Sequence, residues 1–473
     1  MTILEPFLAQ VERNPDRPAL IDRGGERISF AELSARSLQL AQVWATRDVG
    51  PADRVLVAVP VSIALYASLI ALWRLGATAV FPEPALGFAG LRHAAETTRP
   101  RALCAPAWLR ALALTSSTLR RIPRRLSPFD AAADADATLD PPTADAPALI
   151  SFSSGSTGAP KAMARSHALL LAQYAATARL LDPGDTPAVD LVWFPVFVLA
   201  NLGMGVTSVL PLAPLRQPEQ VDALRLATQM RLAGVTRLQA PPAVCDRLSA
   251  LTAPPVLRAI FTGGGPVFPD LLDRLAEQFP KAAVHAVYGS TEAEPIAHLA
   301  AKDVAEADQA AMLAGGGLLA GWPVPEVRLQ LVDDEILVAG PHVNEGYLDP
   351  VRDSESKTRD ADGTVWHHTG DAGRLDESGR LWLLGRHRAR AGALYPFQAE
   401  AAARAWPGVR QAALAAVDGR AVLAIAGEKS RLAEWTAAAA SLGAVEVRQV
   451  GQIPLDRRHG SKVDYPRLLA MLR

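Results

Sequence analysis

Apolar residues recur at three- and four-residue spacing through residues 30–44 (FAELSARSLQLAQVW) and predict an amphipathic helix. Ser29 precedes it and Glu32 follows three positions on, the pattern of a capping box. Residues 54–59 form a short β-branched run that reads as a strand, residues 63–75 read as a helix, and Thr78–Phe81 as a second strand stopped by Pro82. Strand, helix and strand in that order require a parallel crossover, hence a layered α/β domain. Another strand is expected at residues 148–152, directly before a polar glycine loop. Helices and strands alternate again from 189 to 288, with residues 284–288 a buried strand. A β-rich region follows at 327–338 and around 364–384, with turn signals at Asp362-Gly363 and Ser378-Gly379. Residues 386–473 read as a small α+β domain. The acidic, alanine- and proline-rich segment 130–147 reads as an exposed linker or loop.

One stretch challenges a soluble reading. Residues 191–215 (LVWFPVFVLANLGMGVTSVLPLAPL) hold 25 positions without a charge, long enough for a bilayer span. Pro195, Pro211 and Pro214 bracket it, and Asn201, Gly203 and Gly205 interrupt it, which favours a buried helix running into a buried strand. The whole chain of 473 residues is 49% hydrophobic and 21% charged, with a formal charge of −1. That composition excludes dominant disorder and gives no chain-level sign of a nucleic-acid partner or an anionic membrane. Only Cys104 and Cys245 occur, far apart, so neither a disulfide framework nor a CxxC metal site is available and a reducing cytoplasm is expected. The N-terminal residues lack a basic region followed by an apolar one, so no signal peptide is expected.

Chemistry concentrates in four segments. SSGSTGAPK (Ser153, Ser154, Gly155, Ser156, Thr157, Gly158, Ala159, Pro160, Lys161) follows a strand with hydroxyls, two glycines and a lysine. Such a loop suits phosphate oxygens through free backbone N–H groups, hydroxyls and one positive charge, or it is a solvated turn. It is not a Walker A loop, whose glycine spacing and GK[ST] ending are missing. YGSTEAEP (Tyr288, Gly289, Ser290, Thr291, Glu292 onward) places Thr291 and Glu292 at the carboxyl end of a buried strand. Glu292 there is either a Mg²⁺ ligand beside substrate phosphates or a helix first-turn acid, with Ser290 as N-cap. HTGDAGRLDESGRLWLLGR carries Asp371, suited to accept from two sugar hydroxyls or simply to make a turn. DRRHGSKVDYPRLL sets Lys462 on a glycine/serine turn, catalytic or solvated.

In this order the segments resemble the acyl-adenylate-forming superfamily of acyl-CoA synthetases, peptide-synthetase adenylation domains and luciferase-like enzymes. The resemblance also takes in residues 11–41, LWRLGATAVFPEPAL, GGGP (Gly263, Gly264, Gly265, Pro266) and EILVAGPHVNEGYL, nearly the whole chain. It implies an α/β fold. A large multi-lobed N-terminal domain, residues 1–385, would hold two parallel-sheet lobes and a β-barrel-like part, and residues 386–473 a small α+β lid. It further implies a mobile loop over the β- and γ-phosphates at Ser153 to Lys161. Gly263 to Pro266 and Tyr288 would bracket the adenine, Gly289 and Ser290 would also bind the nucleotide, and Asp371 with Arg386 would lie at the ribose. Glu292 and Thr157 would hold Mg²⁺, Thr291 and Glu292 would serve catalysis, and Lys462 would bridge carboxylate and α-phosphate. ATP and Mg²⁺ are the implied cofactors and a small carboxylic acid the substrate. No general base is needed, because the attacking carboxylate is already ionised; positive charge must screen two anions and stabilise the phosphorus.

Residues 189–211, FTGGGPV, ALYPFQAEAA and IPLDRRHGSK resemble, within that superfamily, the olefin-pathway β-lactone synthetases. Those adenylate a 3-hydroxy acid whose own hydroxyl then closes a four-membered lactone. Two features depart from the general pattern: the hinge run HRARAG (387–392) is all basic, and the usual SGK before the lysine reads GSK. The first puts in doubt the large hinge rotation of CoA ligases. A pocket is expected between residues 193–201 and 290–295, lined by Phe194, Phe197, Asn201 and Leu202; Phe194, Phe197 and Leu202 either face an apolar substrate or belong to the core. The competing acceptors are CoA or a carrier protein, and a remote alternative is an inactive nucleotide-binding protein.

Overall fold

The computed structural model describes residues 1–82, 86–131, 139, 142–153, 160–443, 445–456 and 461–473. The chain forms two compact units. One comprises Met1–Leu212, Gln229–Val235 and Pro341–Lys357; the other comprises Ala213–Thr228, Thr236–Gly340 and Thr358–Arg473.

In the first unit, β1 (Pro18–Ile21) and β2 (Arg27–Ser29) lead into the helix Phe30–Ala45. Its start is the expected capping box: the Ser29 hydroxyl accepts the Glu32 N–H, and the Glu32 carboxylate accepts the Ser29 N–H at 2.8 Å. Strands β3 (Arg54–Val57) and β4 (Thr78–Phe81) are parallel and are joined by the helix Ile63–Arg74. That helix is apolar all round, and every residue from Ile63 to Trp73 is buried, as such a helix must be. The Trp73 indole donates to the Ala148 carbonyl at 2.9 Å, satisfying its one polar group. Strands β5 (Ala102–Cys104), β6 (Arg124–Leu126), β7 (Pro147–Ser153) and β8 (Lys161–Ser166) complete a sheet of order β6-β5-β3-β4-β7-β8, parallel except for β7/β8.

The uncharged stretch resolves as a buried helix and strand. It runs from β9 (Val189–Val192) through the helix Pro195–Met204 to β10 (Thr207–Val209). Gly205, at φ +71°, ends the helix in the left-handed conformation that glycine takes at little cost. Strands β9, β10 and β1 are parallel neighbours, with β2 antiparallel at the edge. No helix among the described residues is long and apolar enough to cross a membrane.

In the second unit β11 (Arg237–Ala240), β12 (Ala259–Gly263) and β13 (Ala283–Ser290) are parallel. An antiparallel run continues the sheet through β14 (Ala293–Ala300), β15 (Leu318–Pro323), β20 (Leu381–Arg386), β19 (Val365–Leu375), β17 (Glu335–Ala339) and β16 (Arg328–Val332). A short strand β18 (Lys357–Arg359) precedes β19 in the chain. The C-terminal α+β part carries β21 (Val409–Val417), β22 (Arg420–Gly427) and β23 (Val445–Val450), flanked by helices Pro396–Arg404, Leu432–Ala439 and Tyr465–Leu472. Both cysteines are core residues. Burial pushes each thiol up to about 12, out of the reactive range.

The alternative of a helix N-cap at Ser290 is overturned. Ser290 pairs with Ala293 across a tight hairpin, and Thr291 and Glu292 form its tip. The alternation after the turn pairs with β13, and that pairing overrides the local Ser-x-Glu signal.

Candidate active site

In the first unit, Ser153 closes β7 and pairs with Lys161, the first residue of β8. Ser154, Gly155, Ser156, Thr157 and Gly158, the centre of the expected phosphate loop and the second expected Mg²⁺ ligand, lie outside the described residues. The Lys161 ammonium donates to the Ser356 hydroxyl at 2.9 Å and stands 5.1 Å from the centre of the Tyr347 ring. The Lys357 ammonium lies 5.7 Å from the same ring and donates to the Asn344 carbonyl. Two cations therefore share one aromatic ring, and one of them is the lysine expected at the phosphates. Ser356, Tyr347 and Lys357 were not singled out from the sequence. Tyr347 belongs to the NEGYL motif, but only the fold brings that segment back to β8, where Leu348 N–H donates to the Ala162 carbonyl at 2.9 Å.

Phe194 and Phe197 are half-buried and meet edge to face, with ring centres 5.7 Å apart. Asn201 and Leu202, expected on the pocket wall, are both buried. The Asn201 amide is fully buried and donates to Asp190 at 3.2 Å and to Ser208 at 3.0 Å, joining the helix to β9 and β10. Leu202 is packed in the hydrophobic core. The polar residue in this apolar helix satisfies a buried carboxylate and a buried hydroxyl.

In the second unit, β13, β19 and β20 bring together Tyr288, Asp371 and Arg386, residues expected at the nucleotide. The Tyr288 hydroxyl at the end of β13 donates to Asp371 Oδ2 at 2.9 Å. Arg386, the last residue of β20, is paired with Asp371 in the ladder, and its guanidinium stands 3.2 Å from Oδ1. Burial, and then the Asp371 carboxylate, push the Tyr288 phenol well above its ordinary range, so it remains a donor. The same carboxylate, as the largest cause, raises the Arg386 guanidinium.

Gly263 ends β12 so close to β13 that a Cβ there would collide with the Val287 carbonyl. Gly264 follows at φ +75°. A Cβ on Gly265 would collide with the Ser461 hydroxyl, so GGGP and the turn bearing Lys462 are in direct contact. That turn is closed by a bridge between Leu455 and Val463 and by two further hydrogen bonds. Asp456 N–H donates to the Lys462 carbonyl at 2.8 Å, and Lys462 N–H donates to Asp456 Oδ1 at 3.0 Å. The Ser290 hydroxyl is buried without a hydrogen-bond partner among the described residues. A buried hydroxyl left without a partner at the end of β13 suits a polar ligand. No group of three or more His, Cys, Asp or Glu side chains among the described residues is gathered to hold a metal alone.

The sequence profile of the AMP-binding enzyme family matches residues 7–348. The chain belongs to this family. As an AMP-binding enzyme it is an ATP-dependent, AMP-forming, acid-activating ligase. The olefin β-lactone synthetase of Xanthomonas campestris pv. campestris is 30% identical over 93% of this chain and 90% of that protein. The amide bond synthetase McbA from Marinactinospora thermotolerans matches the fold with a TM-score of 0.82, at 21% identity, over 99% of both chains. The O-succinylbenzoate coenzyme A synthetase MenE from Bacillus subtilis, solved with ATP and magnesium ion, matches with a TM-score of 0.77 at 21% identity. That match covers 96% of this chain and 97% of the other. The two structures establish the fold of this AMP-binding enzyme. Their names speak of an amide and a coenzyme A product, so the fold alone does not choose the acceptor.

Proposed function

We propose that this enzyme activates a 3-hydroxy carboxylic acid as its acyl-adenylate and closes it to a β-lactone. The supporting observation for the activation step is the cluster Tyr288–Asp371–Arg386, together with the Lys462 turn seated against Gly265. Asp371 accepts ribose hydroxyls, Arg386 neutralises the carboxylate, and the GGGP backbone flanks the base. Lys462 supplies the positive charge between the substrate carboxylate and the α-phosphate. One carboxylate oxygen attacks the α-phosphorus and forms a new O–P bond. The bond from that phosphorus to the bridging oxygen breaks, and pyrophosphate departs with its electron pair. Glu292 at the hairpin tip and Thr157 are the residues that would hold Mg²⁺, an ion that binds through one or two carboxylates plus phosphate oxygens. When bound, the ion neutralises phosphate charge.

For the second step, the substrate's 3-hydroxyl oxygen attacks the acyl carbon, AMP leaves, and the hydroxyl proton passes to solvent. High effective molarity of an internal nucleophile offsets ring strain. Two observations favour this acceptor. One is the 30% identity to a β-lactone synthetase across nearly both chains. The other is the basic run after Gly385: His387 Nε2 is 2.9 Å from the Asp333 carbonyl, its ring stacks 6.2 Å from the Tyr395 ring, and the Arg390 guanidinium stands 5.2 Å from that ring's centre. An internal acceptor needs no reorientation of residues 386–473, which we take as the lid. Phe194 and Phe197 offer an apolar surface to the acid. The reading is tested with matched acids that carry or lack the 3-hydroxyl, following AMP release and product mass. Lactone from the hydroxy acid, with CoA without effect, supports it. A thioester formed only with CoA, at equal rates from both acids, replaces it with a CoA ligase.

A further inference from the structure

Glu335 opens β17 opposite Ala372 of β19, and the next pair in that ladder is Leu337 with His368. One residue of β17, Ile336, thus faces three of β19, and Thr369, Gly370 and Asp371 bulge out of the ladder. The Glu335 carboxylate spans this bulge. Its Oε2 stands 2.9 Å from His368 Nδ1, and its Oε1 accepts the Gly370 N–H at 3.1 Å. The Thr369 hydroxyl donates to the Ile336 carbonyl at 2.8 Å and accepts the Asp371 N–H at 3.1 Å. Gly370 takes φ +70°, the left-handed step that turns the chain. Asp371 leaves the bulge with one oxygen toward Tyr288 and the other toward Arg386.

We propose that Glu335 is a positioning residue for the nucleotide: a carboxylate clamp that sets the Thr369–Asp371 bulge and thereby the aim of Asp371 at the ribose. The proposal rests on Asp371 being the ribose ligand. Glu335 is bonded to the residues before Asp371, and its effect passes through that side chain. Two hydrogen bonds to one anion hold a bulge more firmly than neutral contacts do. A carboxylate spent only on strand stability would not need to reach both His368 and Gly370.

The test is a double-mutant cycle read by pyrophosphate exchange with ATP and with 2′-deoxy-ATP. Glu335→Ala is expected to raise the KM for ATP about tenfold, with a much smaller change in kcat, and to erase the preference for ATP over 2′-deoxy-ATP. Glu335→Gln keeps one acceptor for Gly370 but loses the charge. It should fall between the parent and the alanine variant, and it carries the test if the alanine variant does not fold. In an Asp371→Ala background either substitution should add almost nothing. A lowered Tm with unchanged KM and unchanged nucleotide preference overturns the clamp, as does full additivity with Asp371→Ala. If Asp371→Ala alone leaves both KM and preference unchanged, the ribose reading of Asp371 fails instead.

Discussion

Tyr288 and Asp371 are 83 residues apart in the chain and 2.9 Å apart in the fold. The bond between them ties the end of the last parallel strand to the antiparallel run, and it leaves Asp371 with a fixed donor on one oxygen and Arg386 on the other. A carboxylate held on both sides before substrate arrives is pre-organised, which lowers the entropy lost on binding.

Tyr288→Phe therefore removes a donor while keeping the ring. The expected outcome is a rise in KM for ATP of about tenfold, the usual loss for a hydrogen bond to a charged group, with kcat changed less. Pyrophosphate exchange at varied ATP measures it. An unchanged KM would mean that the phenol does not set Asp371.

Lys462→Ala is expected to slow adenylate formation by on the order of 10²-fold or more, because charge at the reacting phosphorus is lost. The Lys462 N–H and carbonyl both bond to Asp456 across the turn, and alanine keeps both groups. Thermal stability and nucleotide affinity should accordingly stay near those of the parent. A variant with normal exchange would remove Lys462 from the reaction.

The elements were legible where local chemistry dictates them. The Ser29/Glu32 box, the all-apolar helix at Ile63 and the strand Thr78–Phe81 follow from caps and periodicity that no distant contact contradicts. Ser290 was ambiguous because a Ser-x-Glu triplet caps helices, and only pairing with Ala293 makes it a hairpin. The packing role of Asn201 was not legible because its partners, Asp190 and Ser208, lie on the strands before and after the helix. Motif order pointed to Tyr288, Asp371 and Arg386. It did not point to Glu335, whose role depends on a bulge next to His368, 33 residues further along the chain.

Glu400 gives a pH dependence that is separate from catalysis. It is 2% exposed in the helix Pro396–Arg404, and its carboxylate accepts the Leu414 N–H at 3.0 Å. Burial pushes its carboxyl up from 4.5 to about 7. Below the unfolded value both states are protonated and no penalty exists. Between the two values the native chain keeps a proton that the unfolded chain has lost, so stability falls as pH rises through about 7 and stays lower above it. The full effect is on the order of 3 kcal/mol, since each tenfold change in proton affinity is worth ~1.4 kcal/mol. Glu400→Gln, which still accepts from Leu414, should flatten this decline and raise Tm above pH 7. Parallel Tm–pH curves for the two proteins would refute the assignment.

Gly265 offers a test of the seat of the Lys462 turn that leaves Lys462 itself untouched. A Cβ at this position meets the Ser461 hydroxyl at a separation no folded protein tolerates, with the Ser461 Cβ next at 2.8 Å. Gly265 does not occupy a positive φ, so alanine is acceptable to the backbone itself, and the collision is the whole effect. Gly265→Ala should push the Ser461–Lys462 turn away and slow pyrophosphate exchange about tenfold or more, since misplacing a reacting group by about 1 Å can cost as much as 10²-fold. Replacing Ser461 by glycine removes both offending atoms and leaves the backbone carbon of residue 461 nearest, at 3.9 Å. The pair Gly265→Ala with Ser461→Gly should then recover most of the lost rate, although each change alone removes something. Recovery shows that the turn must rest on the GGGP backbone for adenylation. Failure to recover, with the double variant folded and binding ATP normally, would mean that the lost rate does not come from the contact with Ser461 and that this contact is incidental.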